Sequence, residues 1–138
     1  MRRVEAWHVT LLDVIVAYET REAKYGTSDC CCFVRDCVEA MTGEDILIGF
    51  PMKYSSAAGA LKELVKFGKV KTPEALMDTR MNETCELTYA RRGDIISREV
   101  KGDDAALGIC VGRDSLFMHI TRGLVRVPTL TCSRAWKV

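Results

Sequence analysis

The stretch Gly26-Thr27-Ser28-Asp29-Cys30-Cys31-Cys32-Phe33-Val34-Arg35-Asp36-Cys37 constrains this chain more than any other. It reads as a tight turn running into a helix, with a cysteine in the first helical turn. Asp29 suits the N-cap, because its carboxylate can accept backbone N–H groups that have no partner inside the helix. From Cys30 onward, Cys30, Phe33, Val34, Cys37, Val38 and Met41 recur at the spacing of one α-helical face. Gly43 stops the helix. Cys30 therefore falls where the helix dipole favours a thiolate, on the buried side, at the mouth of the core. That position suits a cysteine nucleophile. It suits a small, well-packed apolar residue equally.

The length of 138 residues sets a single domain, 1–138, able to bury a real core. A net charge of +1 removes any general attraction to nucleic acid or to an anionic membrane. No apolar run approaches the ~18 residues of a membrane span, so no membrane insertion is expected. Met1-Arg2-Arg3 runs into an acidic, amphipathic stretch, and no signal peptide is expected. The seven cysteines are odd in number and three are consecutive, unlike a secreted disulfide framework. They read as reduced thiols of a protein made in a reducing cytosol. No CxxC or Cys/His pair sits on a turn with zinc-ligand spacing, so neither a metal nor another cofactor is expected.

Along the chain, a first helix is expected from about Val4 to Arg21. Leu11, Leu12, Ile15, Val16 and Ala17 form its apolar side, with Trp7, Val14 and Tyr18 adjoining. The connection from Glu44 to Tyr54 is broken by Gly49 and Pro51, and its apolar residues are expected to pack down. Ser55 or Ser56 caps a helix running to about Phe67, with Ala60, Leu61, Leu64 and Val65 inward. Pro73 starts a short helix, Glu74 to Met77. The second half reads as strands: Ile95-Ile96, then Ala105 to Gly112, then Leu116 to Ile120 after a turn at Arg113-Asp114-Ser115. Gly123 to Pro128 and Ala135 to Val138 follow. Short strands joined by tight turns make an antiparallel sheet, and helices followed by strands give an α+β architecture.

Asp29-Cys30 with Phe33-Val34, then Arg92-Gly93-Asp94-Ile95-Ile96, Ala106-Leu107-Gly108-Ile109-Cys110-Val111-Gly112 and Phe117-Met118-His119-Ile120 form an ordered set. That set resembles the papain-like fold of the NlpC-type cell-wall peptidase family, over about residues 25–125. A still closer likeness is to a small family encoded in tailed phages, usually among tail genes. Those members share the early Trp, the Gly-x-x-Asp-Cys turn, the Arg-Gly-Asp strand entry and an Ala-Trp near the end. The resemblance implies N-terminal helices, with Cys30 opening the core helix, packed on a C-terminal antiparallel sheet. It implies a phage tail or tail-tip component, made in the host cytoplasm and then carried in the virion tail. Its partners would be other tail proteins and peptidoglycan.

One departure bears on chemistry. The family's strand opens with a histidine that takes the cysteine proton, and this chain has Ala106 there. The position that orients that histidine matches His119. Without a base, an alanine cannot shuttle a proton to a leaving amine. Two functions follow from the resemblance. One is a structural or assembly module whose cleft no longer cleaves. The other is an active cysteine endopeptidase cutting peptidoglycan stem peptides, with Cys30 as nucleophile and His119 as base or orienter. Asp29, Asp94 and Tyr25 are the candidate cleft neighbours, although Asp29 reads as a cap and Asp94 as a turn residue. His8, in the first helix, carries little catalytic weight, and so do Cys31 and Cys32. Asp103-Asp104 resembles a calcium-ligand pair only superficially, since no further oxygen ligands follow. Lys62, Lys66, Lys69 and Lys71 read as a solvated helix face or as a contact for a wall polymer.

Overall fold

The computed structural model describes residues 1–102 and 105–138. Asp103 and Asp104, read above against a calcium loop, lie outside the described residues. The elements follow the order α1 (Trp7–Glu19), α2 (Cys30–Thr42), α3 (Ala57–Gly68), α4 (Pro73–Arg80), β1 (Thr84–Cys85), β2 (Ile95–Ser97), β3 (Leu107–Cys110), β4 (Asp114–His119), β5 (Gly123–Pro128) and β6 (Arg134–Trp136). Single 3-10 turns occupy Leu87–Tyr89 and Thr129–Thr131. The strands form one antiparallel sheet in the order β1-β6-β2-β3-β4-β5. The architecture is α+β.

Helix α2 is the central helix. Phe33, Val34, Cys37, Val38 and Met41 are buried along it, and Gly43 ends it in the left-handed region at φ 79°. Alternation along the strands sends Ile95, Leu107, Ile109, Leu116 and Met118 into the helix-side core. Ile96, Cys110 and Phe117 pack on the other face of the sheet. Helix α1 packs on α2, where Thr10 Oγ1 donates to the Ala40 carbonyl at 2.7 Å and the Tyr18 hydroxyl to Asp36 at 2.5 Å. From β6, Arg134 makes a two-pronged contact with Asp78 of α4, and Trp136 Nε1 donates to the same carboxylate.

Helix α1 differs from its expected phase and is shorter than Val4 to Arg21. Leu11, Ile15 and Tyr18 are buried, whereas Leu12 and Val16 are about half exposed, at 48% and 52%. The run Leu-Leu-Asp-Val-Ile-Val-Ala is apolar on most sides, so its sequence permits a rotation of one position, and packing on α2 selects among them. Helix α3 likewise turns only a narrow stripe inward. Ala60 and Leu64 are half-buried, while Leu61 and Val65 are about half exposed, at 50% and 46%. Helix α4 extends to Arg80, beyond the expected Met77. Strand β4 begins at Asp114, so the preceding turn lies at Gly112-Arg113.

Asp94 joins the two ends of the chain. It is 1% exposed, and its carboxylate accepts from the Arg91 and Val138 backbone N–H groups, from Arg3 Nη2 at 3.1 Å and from Lys137 Nζ at 2.9 Å. Arg3 also donates to the Val138 and Arg92 carbonyls and lies over the Trp7 ring.

Removing a carboxylate from a buried, paired site leaves its cations and donors without compensation. Asp94→Ala is expected to lower the stability of the folded chain by about 3 kcal/mol or more in denaturant unfolding. Asp114→Asn, which breaks an exposed pair with Arg126, is expected to cost less than about 1 kcal/mol. Burial, with the Asp29 charge behind it, pushes the Cys32 thiol up from an ordinary 9.0 to about 12. The unfolded chain ionises this thiol first as pH rises. The contribution is therefore complete below about 9 and is lost as pH climbs toward about 12. Thermal unfolding across that interval is expected to show a steep alkaline fall in Tm, and a shallower one in Cys32→Ala.

Candidate functional site

The candidate site begins where the chain enters α2. Asp29, extended at the N-cap, accepts from the Cys32 backbone N–H through Oδ1 at 3.0 Å. Its Oδ2 accepts from the Gly26 N–H at 2.9 Å and from the Tyr54 hydroxyl at 2.5 Å. Gly26 has φ 81°, and a Cβ there would come within 2.6 Å of the Tyr54 carbonyl oxygen. A side chain at Gly26 would push the 52–54 segment off the turn. That segment is also tied to α3, because the Glu63 carboxylate accepts from the Met52 and Lys53 N–H groups.

Between α2, this segment, α3 and the start of β3 lies a cleft of about 300 Å³. Cys30, Cys31, Asp29, Tyr25 and Ala106 line one side. Phe50, Met52, Tyr54, Leu61 and Leu64 line the other, and Lys71 stands at the α3–α4 connection. The lining is chiefly apolar, and Cys30 is half-buried within it.

The Cys30 thiol is held below its ordinary value. The Cys31 thiol, hydrogen-bonded to it, is the largest cause, and the backbone N–H groups of Leu107 and Ala106 act the same way. Burial and the Asp29 charge oppose them. The Cys31 thiol is pushed the other way, up, by its bond to Cys30 and by burial. Burial and the Asp29 charge also push the Tyr54 hydroxyl well above the usual phenol range, so it acts as a donor. The surroundings therefore shift Cys30 toward the thiolate and Cys31 toward the thiol.

Of the candidate residues, the fold brings Cys30, Asp29 and Tyr25 together at the cleft, with Ala106 against the sulfur. Cys31, given little weight from the sequence, also reaches it. The cleft wraps around the first turn of α2, so neighbouring positions share it. Cys32 turns into the core. Asp94 is not a cleft neighbour, because its carboxylate is committed to the chain ends on another side of the molecule. His8 is exposed beside Trp7.

His119 ends β4. Gly108 pairs with Phe117, and continuing that register sets position 106 opposite His119. The imidazole is 3% exposed. Its Nδ1 accepts from the backbone N–H groups of Thr121 and Arg122, each at 3.1 Å, and meets the Thr121 hydroxyl at 3.1 Å. Two backbone donors on Nδ1 assign the ring proton of the neutral form to Nε2. His119 thus caps the β4–β5 turn.

Tyr54 and Phe50 are the cleft residues that sequence reasoning did not single out, and the packing-down expected of the 44–54 connection is the one signal for them. Leu64, expected on the inward side of its helix, also reaches the cleft.

Iodoacetamide labelling followed by peptide mapping is expected to modify Cys30 at a pH below that of an ordinary thiol. Cys31 and Cys37, whose thiols are raised, stay unlabelled under the same conditions. Equal labelling of all three would contradict the geometry around the Cys30 sulfur.

No curated protein matches the sequence. Residues 2–138 match the family described as Domain of unknown function (DUF6950), and the chain belongs to that family.

Proposed function

We propose that this chain is a papain-like module of the NlpC type that keeps the thiol cleft, lacks the general base, and serves by binding within a phage tail or tail tip. One observation carries the reading. The group against the Cys30 sulfur at the family's base position is the backbone of Ala106, with no imidazole. The nearest histidine in register, His119, spends Nδ1 on the β4–β5 turn. Cleaving an amide requires a proton for the departing amine, and Ala106 has none to give. The α+β order, with a cysteine opening the helix that packs on an antiparallel sheet, supports the scaffold. The likeness to tail-encoded proteins supports the setting. The apolar cleft between Tyr25, Tyr54 and Leu64 offers the binding surface.

A second reading, an active endopeptidase cutting peptidoglycan stem peptides, is favoured by one observation. Cys30 is held toward its thiolate by Cys31 and two backbone donors. A lowered thiol favours the first half of peptide cleavage, attack on the carbonyl, and leaves the second half, protonation of the amine, to another group.

Digestion of purified peptidoglycan separates the two. The wild-type chain is expected to release no fragments. Ala106→His places an imidazole between Cys30 and His119 in register, and is expected to release peptide fragments that disappear in Ala106→His combined with Cys30→Ala. Fragments from the wild type that vanish in Cys30→Ala would establish the peptidase instead.

A further inference from the structure

An amide and a thioester demand different things of a cysteine. An amide expels an amine, which departs only with a proton supplied. A thioester expels a thiolate, which departs as the anion and needs no acid from the protein. Cys30 meets the second demand. Cys30 lines the cleft with Cys31 and Ala106 beside it, and the alanine side chain at position 106 has no proton to donate.

The space beyond the sulfur is apolar, walled by Leu47, Phe50, Met52, Leu61 and Leu64. Its 300 Å³ lies at the lower end of the ~300–1,000 Å³ range of small-molecule sites. Lys71 stands at the edge of this space, and Lys62, Lys66 and Lys69 are exposed on the neighbouring helix and its end. These charges favour the approach of an anionic carrier.

We propose that Cys30 is an S-acylation site, taking an apolar acyl group of moderate length from an acyl thioester on a phosphate-bearing carrier thiol and lodging the chain in the cleft. The Cys30 sulfur, having given its proton to solvent, adds as the thiolate to the thioester carbonyl carbon. The tetrahedral adduct collapses, and the bond from that carbon to the carrier sulfur breaks. The carrier leaves with the electron pair as a thiolate, which solvent protonates, and a thioester on Cys30 remains. No electrons change hands. Burial of the chain against Phe50 and Leu64 favours the acylated product. This inference rests on the reading that no general base serves Cys30.

The test is incubation of the full chain at neutral pH with octanoyl-coenzyme A, read by intact mass and peptide mapping. One hydroxylamine-labile octanoyl group is expected on the peptide bearing Cys30. It is expected to form about tenfold or more faster than on the same chain unfolded in denaturant. Cys30→Ala abolishes it. Leu64→Trp, which fills the cavity without touching the sulfur, loses octanoyl transfer and retains transfer from acetyl-coenzyme A. An adduct that persists in Cys30→Ala, forms no faster on the folded chain, or is unaffected by Leu64→Trp overturns the proposal, as does no adduct at all. Those failures leave the base-free reading standing, whereas peptidoglycan cleavage by the wild type overturns that reading by a separate readout.

Discussion

The carboxylate of Asp29 is the constraint on which the site depends. It closes the first turn of α2 through the Cys32 N–H, fixes the entering turn through Gly26, and holds Tyr54 from a segment that is distant in sequence. The side chain is only 6% exposed, and these donors replace the water it gives up. The same charge opposes ionisation of Cys30 one residue on. The thiol is lowered against this nearest charge, and the offset comes from Cys31 and from the backbone at the start of β3. Scaffold and thiol are coupled there: the residue that builds the cleft also opposes ionisation of Cys30.

The sheet decides what can face that nucleophile. Position 106 stands just ahead of β3, and the strand's alternation sends Leu107 and Ile109 to the helix-side core. Ala106 is left at the cleft, in register with His119. Under the proposed papain-like reading, the frame for a three-residue relay survives with its central member reduced to a methyl group. The missing part is a side chain, and the backbone that would carry it is in place. The backbone has itself become the polar partner of the sulfur.

The cysteine helix was legible because cap, periodicity and stop signal agree over Asp29 to Gly43. Helix α1 was legible in existence and not in phase, since its apolar run leaves the rotation to packing. The cleft was hardly legible. Its walls come from α2, the 50–54 segment, α3 and β3, and only tertiary structure brings Tyr54 to Asp29. Asp94 was readable as a turn residue from Gly93-Asp94. Its partners lie near both ends of the chain, at separations no local pattern reports. His119 was found by resemblance, while its use of Nδ1 depends on two backbone N–H groups that carry no sequence signature.

The convergence of Arg3, Lys137 and Val138 on Asp94 has a mechanical meaning. Tension applied through residues near both ends of the chain enters the fold at neighbouring points. It acts first on this one cluster of ion pairs and hydrogen bonds and not along the β3–β4–β5 ladders. The cluster therefore works as a clasp in parallel with the sheet: while it holds, a load passed between Arg3 and Val138 bypasses both the core and the Cys30 cleft.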